Sequence, residues 1–364
     1  KAVADAKAAD TPEKRRGVGI AWGGFNVTEG GGDSAEVALE LMPGNKIRKY
    51  DTWHAMGQGA TTGSLVVTLE ALKEMHLTPE DIQLIQNDTK TCPDTGMDGA
   101  SRSLYMDGNA TIIAANKLLA AMRKEDGTLR TYDEMKAEGI ETKYLGRYET
   151  NTTPGLCRLD PNTGIGDPTP AFTYCLNLAE VEVDTKTGKT TVLKFTCVDF
   201  VGRIGNIDAV NGQAYSGIMH GIGFALKEDY ADVKKHANMF GAGTSYIKDV
   251  PDDIDLIHID GAISDGPFGS SGASEAFQAS GHCAVLNGIY NACGVRIHEI
   301  PALPEKVKAG LDAIAKGEKP YEPKKYFLGS DMYEELENIK ENPVQVGTQS
   351  FYVSLDDPTA ERPF

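Results

Sequence analysis

Hydrophobic and polar residues alternate in two pairs of segments along the chain. The first pair is 34–41 and 46–53 around the turn Pro43-Gly44-Asn45, and the second pair is 174–184 and 190–198 around Lys186-Thr187-Gly188-Lys189. Alternation with a period of two is typical of half-buried strands, and a short turn that contains glycine predicts a β-hairpin between them. The pattern therefore predicts two hairpins.

Helical spacing of apolar residues follows each hairpin. The further predicted elements are a Gly-rich strand at 17–25, a helix that begins at Met56-Gly57-Gln58-Gly59-Ala60 and ends before Thr78, strands at 82–86 and 254–259, and helices at 100–122, 132–138, 209–226 and from residue 275 onwards. The order hairpin, helix, strand, Gly-rich loop, helix thus occurs twice. We interpret this repeated order as an internal structural duplication.

The expected fold is α+β, with two similar hairpin–helix–strand–helix units packed as two lobes. Such packing would bring four helix N-termini to one cleft, and their exposed N–H groups would suit an anion. A plain α+β domain would explain the order of elements, but it would not explain Gly-rich segments at three of the four helix entries. The expected boundaries are a linker at 1–16, a first lobe at 17–125, an irregular connection at 126–170, a second lobe at 171–315 and an extended C-terminal arm at 316–364.

Composition excludes several classes of protein. A formal net charge of −17 argues against a nucleic-acid or anionic-membrane surface. No apolar run reaches the roughly eighteen residues that a transmembrane helix needs, and the N-terminus has no hydrophobic signal segment. None of the six cysteines forms a Cys-x-x-Cys pair. We therefore expect free thiols and a cytoplasmic location.

The loop Gly266-Pro-Phe-Gly-Ser-Ser-Gly-Ala-Ser-Glu275 is the first candidate for chemistry. Its glycines let backbone N–H groups approach a ligand closely, and Glu275 would lie in the first turn of the following helix. Acidic residues are also common at helix N-termini because the helix dipole favours them, so the loop alone leaves both interpretations open.

Other Gly-rich loops carry polar side chains. These are Gln58, Ser101, Arg102, Ser103, Asn206 and Gln213. Arg102 is either a structural salt-bridge residue or, at a helix start, a phosphate clamp. Gln58 between two glycines offers four hydrogen-bonding sites. No two of the seven histidines have the i, i+4 spacing of a metal-binding pair, so we expect no metal ligated by protein side chains.

Five motifs occur in a fixed order. They are Met56-Gly-Gln-Gly-Ala60, Gly99-Ala-Ser-Arg102, Gly217-Ile-Met-His-Gly-Ile-Gly223, the loop that ends at Glu275, and Asn291-Ala-Cys-Gly-Val-Arg-Ile297 followed by Pro301-Ala-Leu-Pro-Glu305. Together they resemble the second half of the molybdenum-binding region in the xanthine oxidase and aldehyde oxidoreductase family, and they are most similar to bacterial aldehyde oxidoreductases. The resemblance extends from Arg16 to Ala315.

The resemblance implies a molybdopterin cofactor with molybdenum, in the cytosine dinucleotide form usual in bacterial members. It implies that Glu275 is the general base, which takes a proton from a molybdenum-bound hydroxyl that attacks the substrate carbon, while hydride passes to the sulfido ligand. The resulting cofactor-binding set is Gly57, Gln58, Gly59, Ala60, Gly99, Ala100, Ser101, Arg102, Ser103, Asn206, Gln213, His220, Gly272, Ala273 and Ser274.

The expected reaction is oxidation of an aldehyde to a carboxylic acid. Hydroxylation of an N-heterocycle of the purine or nicotinate type, and a non-catalytic cofactor-binding subunit, are the alternatives. The sequence departs from the family pattern at Ser274, where glycine is usual, at His220, where glutamine is frequent, and at Met56. These departures bear mainly on which substrate is oxidised.

Parts of the family's enzymes have no counterpart in this sequence. These are the cysteine-rich module for 2Fe-2S clusters and the first half of the molybdenum region, so we expect activity only with partner subunits or a missing N-terminal part, with FAD as an option on a partner chain. We favour a subunit of a split enzyme over a fragment. The aromatic residues of the Pro-rich tail, with one helix expected at 332–338, favour an arm that lies on a partner over a disordered end.

Overall fold

Two four-stranded sheets flanked by helices form the described part of the chain, which in the computed structural model comprises residues 1–28, 32–150, 160, 165–166 and 169–318. The strands are β1 Lys14–Val27, β2 Ser34–Met42, β3 Lys46–Asp51, β4 Ile82–Gln86, β5 Lys143–Glu149, β6 Ala171–Asp184, β7 Thr190–Phe200 and β8 Asp253–His258. The helices are α1 Ala2–Ala8, α2 Ala60–Ala71, α3 Ser103–Met122, α4 Tyr132–Ala137, α5 Ile207–Leu226, α6 Met239–Ala242, α7 Ser274–Gln278, α8 Gly281–Cys293 and α9 Pro304–Ala315.

Both predicted hairpins are confirmed, since β2 pairs antiparallel with β3 and β6 with β7. Each hairpin gains a parallel neighbour, β4 beside β3 and β8 beside β7. The two sheets have the orders β4-β3-β2-β5 and β8-β7-β6-β1. Along each order the first pair of strands is parallel and the next two pairs are antiparallel, so the two sheets share one pattern of strand directions. The mixed α+β class that we expected is therefore correct.

The edge strands differ from the expected lobe boundaries. The Gly-rich strand β1, assigned to the first lobe, pairs along its whole length with β6 of the second sheet. Strand β5 lies in the expected irregular connection and pairs with β2. The sequence did not predict this strand, because Gly146 interrupts its pattern. A Cβ at position 146 would lie 2.0 Å from the carbonyl oxygen of Ala110 on α3. The glycine is therefore needed where the helix crosses the strand.

Residues 1–16 are not a linker. They contain α1 and the beginning of β1, and Ala6 is buried. Lys7 donates a 2.9 Å hydrogen bond from Nζ to the carbonyl oxygen of Ala292, near the end of α8. The alanine-rich, charged segment therefore folds because it packs against other parts of the chain, which its composition alone does not reveal.

Helices cover the inner face of each sheet. Phe195 of β7, Ile222 of α5 and Val285 of α8 are fully buried in one cluster, and Leu39 of β2 and Leu118 of α3 are fully buried in a second. Each such side chain stabilises the fold by about 1.5–3 kcal/mol. This packing fixes the direction of α3 and α5, whose N-termini face the candidate site.

Two further differences concern helices. Residues beyond Glu275 form two helices rather than one, because Ser280 has non-helical backbone angles and accepts a 3.0 Å hydrogen bond at its Oγ from Asn177. Helix α9 was not predicted. The helix expected at 332–338, and the rest of the arm beyond residue 318, lie outside the described residues. Of the helices described, none is long and apolar enough to cross a membrane.

Candidate functional site

A cavity of about 730 Å³ lies where four helices begin. Its wall includes Ala60 at the start of α2, Ser103 at the start of α3, Asn206 before α5 and Ser274 at the start of α7. The expectation that helix N-termini converge on one cleft is thus met. Unpaired N–H groups and the positive ends of helix dipoles favour an anionic ligand at such a place.

The loop before α2 is held by the side chain of Gln58. Its Nε2 donates to the carbonyl oxygen of His54 at 2.6 Å, and its Oε1 accepts from the backbone N–H of Met56 at 2.6 Å. Gly57 and Gly59 have φ values of 104° and 89°, which only glycine adopts without strain. Gln58 and Gly59 line the cavity, whereas Gly57 does not.

The loop before α3 is strained. Ala100 and Ser101 are consecutive non-glycine residues with left-handed φ values of 49° and 50°. Each such residue costs on the order of 1–3 kcal/mol, and strain of this kind concentrates at functional sites. The turn directs Ser101 into the cavity, next to Gly99 and Ser103, whereas Ala100 is outside the lining. Ser103 Oγ donates to the carboxylate of Asp98.

Ser101 and Glu275 meet inside the cavity. The Ser101 hydroxyl donates a hydrogen bond to Glu275 Oε2, and the backbone N–H of Glu275 lies 3.3 Å from Ser101 Oγ. The loop carrying Glu275 can approach so closely because residue 272 is glycine, where a Cβ would lie 1.6 Å from the carbonyl oxygen of Ser101. Two loops that are 174 positions apart in the chain thereby fix one carboxylate.

A second contact ties α5 to the same loop. Ser274 Oγ donates to Gln213 Oε1 at 2.8 Å, so this serine orients the amide of Gln213. Asn206 caps α5, because its Oδ1 accepts from the backbone N–H of Ala209 at 3.0 Å. Gly272 and Ala273 complete this wall.

Arg102 is a correction to the predicted set. It is 2% exposed and does not line the cavity. Its guanidinium forms a bidentate ion pair with Asp33, at 2.7 Å for both bonds, and donates to the carbonyl oxygens of Ser34, Thr95 and Met97. All five N–H groups of the side chain are used. Arg102 therefore holds the loop before α3 and cannot clamp a phosphate with its side chain.

His220 also lies apart from the cavity lining. It is half-buried on α5, with its ring edge-on to Phe224 at a centroid distance of 6.1 Å. The structure thus separates His220 from the predicted residues that it brings together.

Sequence reasoning missed Arg203, which is the only basic residue among the described residues that line the cavity. Its backbone N–H donates to the carbonyl oxygen of Gly269 at 2.9 Å, and its Cδ would lie 3.3 Å from a Cβ at that glycine. Within the described ranges its guanidinium has no carboxylate partner, unlike Arg102. The signal available in the sequence was its position in the short Gly-containing segment between a strand and the cap of α5.

A buried ionic cluster lies between α2, α3 and β3. Lys49 Nζ is 2.7 Å from Asp107 Oδ1 and 3.3 Å from Asp51 Oδ2, and all three side chains have no exposed surface. Ser64 of α2 donates to Asp51 Oδ2 at 2.7 Å. Burial raises the pKa of Asp107 to about 6, against the opposing effect of the Lys49 ammonium. The cluster joins the two helices whose N-termini form one side of the cavity.

A series of hydrogen bonds connects α5 to strands β7 and β8. His258 of β8 bonds through Nδ1 to Asp199 Oδ2 at 2.7 Å and through Nε2 to Asn211 Oδ1 at 2.8 Å. Burial raises the pKa of the Asp199 carboxyl above its ordinary value, although the nearby imidazole of His258 opposes this shift. No group of three or more His, Cys, Asp or Glu residues in the described part of the chain could hold a metal ion.

The chain is similar to known proteins. Residues 1–251 match the molybdopterin cofactor-binding domain family. The chain is 40% identical over 312 residues to an aldehyde oxidoreductase of Megalodesulfovibrio gigas, covering 86% of this chain and 34% of that protein. It is 28% identical over 277 residues to a probable hypoxanthine oxidase of Escherichia coli K12, covering 72% of this chain and 29% of that protein.

A solved structure has the same fold over most of the chain. The crystal structure of the aldehyde oxidoreductase from Desulfovibrio desulfuricans superimposes with a TM-score of 0.80 at 42% identity, covering 84% of this chain and 33% of that one. The chain therefore spans about a third of the length of the relatives that it matches.

Proposed function

We propose, since the chain belongs to the xanthine oxidase family of molybdenum hydroxylases and carries a molybdopterin-binding region of that family, that its cavity is the site where an aldehyde is oxidised to a carboxylic acid. The observation that carries the proposal is the position of Glu275. It is an acid held by Ser101 in a cavity formed by four helix N-termini.

The residues present fit a molybdopterin. A volume of about 730 Å³ is within the range of small-molecule and cofactor sites, which is about 300–1,000 Å³. Gly59, Gly99 and Gly272 line the wall, where the lack of a Cβ would let a cofactor approach the backbone closely, and Arg203 would supply a positive charge for a phosphate. We propose that these residues hold the cofactor, in its cytosine dinucleotide form.

Glu275 would act as general base. A bound molybdenum cofactor would supply the two-electron oxidation. The carboxylate of Glu275 would accept a proton at Oε1 or Oε2, and the Ser101 hydroxyl would keep it in the cavity in one orientation. A positioned base of this kind contributes about 10²–10⁴ in rate. Gln213, oriented by Ser274, would donate a hydrogen bond from its amide to cofactor or substrate.

The region would consist of two similar units. The two sheets share one pattern of parallel and antiparallel neighbours, which supports this inference. One edge strand of each sheet comes from outside the expected unit. Strand β5, from the expected connection, completes the first sheet, and β1, from the expected first lobe, completes the second. The rest of the enzyme, namely the first half of the molybdenum region and a 2Fe-2S module, with FAD as an option, would be on a partner chain or another part of a longer chain. Turnover would require these parts, because this chain spans only 34% of its aldehyde-oxidising relative.

Oxidation of an N-heterocycle is the second candidate. The observation in its favour is the 28% identity to a probable hypoxanthine oxidase. Both reactions need a base at position 275, so they differ in the pocket rather than in Glu275. A non-catalytic cofactor-binding subunit is the third candidate, and the retained Glu275 argues against it.

Metal analysis and a variant pair test the proposal. The chain is purified from its native host with whatever accompanies it, and molybdenum and tungsten are measured by mass spectrometry. Near-stoichiometric molybdenum is expected. Glu275→Gln should retain the metal and lose about 10²–10⁴ in kcat with an aldehyde, whereas Glu299→Gln, on the exposed surface, should retain both.

The outcomes separate the candidates. An intact complex without molybdenum or tungsten would refute the cofactor assignment. Full activity of Glu275→Gln would refute the role of the base, and turnover of hypoxanthine with no turnover of aldehydes would favour the heterocycle reaction.

A further inference from the structure

The outer face of the β1-β6-β7-β8 sheet is apolar along one half. In the strand register, Trp22, Leu176, Val198 and Ile257 form a continuous row across all four strands. Trp22 is 66% exposed and Ile257 is 50% exposed. A solvent-facing sheet surface normally carries polar residues at these positions, so this row is unusual.

Aromatic residues extend the row. Trp22 stacks on Tyr174 with ring centroids 5.7 Å apart, and Tyr174 stacks on Phe172 at 6.3 Å. Phe172 is 45% exposed, and Ile20 beside Leu178 is 55% exposed. We call the surface formed by Ile20, Trp22, Phe172, Tyr174, Val198 and Ile257 the apolar face. Contiguous exposed apolar surface of this kind marks interaction sites.

The other half of the same sheet surface is different. Glu182 pairs with Lys14 at 2.5 Å and with Arg16 at 3.0 Å, and Lys194 pairs with Asp255 at 2.7 Å. These ion pairs give that half the composition of an ordinary solvent-facing surface. The contrast within one sheet shows that the apolar half is a local feature rather than a property of the whole sheet.

The apolar face ends next to the cavity. Strand β7 runs from the ion-paired half to the apolar half, and the residues that follow it, Val201 and Arg203, line the cavity. A polypeptide that covers the apolar face can therefore also reach the mouth of the cavity. This position favours an occupant that contributes to the same site.

We infer that the apolar face is the docking surface for the polypeptide that supplies the remaining part of the enzyme, whether it is a separate subunit or a further part of a longer chain. The inference rests on the proposed function. About two thirds of the aldehyde oxidoreductase relative has no counterpart in this chain, since the match covers 34% of it. Obligate interfaces are more hydrophobic than transient ones, which agrees with an uncharged surface built from aromatic and branched side chains.

Photo-crosslinking on the purified complex tests this inference. Benzoylphenylalanine is placed at position 22, in the apolar face, and separately at position 191. Thr191 is exposed and pairs with Glu182 on the same sheet, so position 191 is a matched control in the ion-paired half. Position 22 should crosslink to the polypeptide that carries the iron–sulfur or first molybdenum-binding region, at least tenfold more than position 191.

Two results would overturn the inference. One is a crosslink from position 22 to a second copy of this chain or to residues 319–364. The other is a yield at position 22 no higher than at position 191. Trp22→Asp should also weaken association at least tenfold in sedimentation velocity, whereas Trp22→Tyr should not. Molybdenum content is measured on the same samples, so a complex that contains the metal but lacks the crosslink refutes the docking surface alone.

Discussion

The hydroxyl of Ser101 donates a hydrogen bond to the carboxylate of Glu275, and the backbone of the serine is left-handed at φ 50°. One strained residue thus orients the proposed base. A hydrogen bond to a charged group is worth about 1.5–3 kcal/mol, so Ser101→Ala should lower kcat about tenfold to a hundredfold with molybdenum content unchanged.

Ser101→Gly separates the hydroxyl from the backbone. Glycine also removes the hydroxyl, but it adopts the left-handed conformation without strain. Steady-state kinetics should show the same loss for both variants. Wild-type activity in Ser101→Gly would mean that the backbone conformation, rather than the hydrogen bond, is what Glu275 requires.

Gly272 permits the close approach of the two loops. In Gly272→Ala the new Cβ would lie 1.6 Å from the carbonyl oxygen of Ser101, so the loops must separate, and we expect loss of molybdenum and a destabilisation of about 1–3 kcal/mol. Gly212→Ala is the matched control, because the space around that helical glycine is open. It should stabilise the protein by about 0.5–1 kcal/mol. Thermal unfolding and metal analysis of both variants check this pair.

Arg203 should contribute to cofactor retention through its charge. Arg203→Gln should release the cofactor about tenfold faster, followed by gel filtration, with a weaker dependence on salt, because an ionic contact is lost. Arg203→Lys should retain part of the effect. Arg147→Gln removes an exposed arginine that pairs with Glu36 and should leave retention unchanged. Equal retention in Arg203→Gln and wild type would show that the guanidinium faces solvent.

Sequence patterns predicted what depends on local residues. The hairpins follow from period-two alternation, and Gln58, Ser101 and Glu275 follow from polar side chains in or directly after Gly-rich loops. Each of these residues lines the cavity, as the predicted convergence of helix N-termini requires. The roles that were missed depend on distant partners.

Arg102 and Arg203 show this limit. Both follow a Gly-containing loop and precede a helix, and nothing adjacent in the chain distinguishes them. Asp33, which forms the ion pair with Arg102, is 69 positions away in the chain. The placement of the edge strands also depends on distant partners, since β1 pairs with β6, which lies more than 140 residues later in the chain. The need for glycine at position 146 likewise arises only from the packing of α3 against β5.

The buried cluster of Lys49, Asp51 and Asp107 should make stability depend on pH. Burial raises the folded-state pKa of Asp107 to about 6, above its ordinary value of 3.8, so the folded protein holds a proton that the unfolded chain releases. The stabilisation from this group is complete below pH 3.8 and is lost as the pH rises through about 6. The difference corresponds to about 3 kcal/mol, at about 1.4 kcal/mol per pKa unit.

Asp107→Asn tests the sign of this effect. The amide cannot titrate but keeps an oxygen for Lys49, so the stability of wild type relative to Asp107→Asn should fall by about 2 kcal/mol between pH 4 and pH 7 in denaturant titrations. Asp81→Asn is the opposite control. Hydrogen bonds from Thr78 lower the pKa of Asp81, so the stability of wild type relative to that variant should rise with pH. A flat difference for Asp107→Asn would mean that Lys49 keeps the carboxylate ionised throughout. In this cluster the attraction between the two charges would then outweigh the cost of burying them.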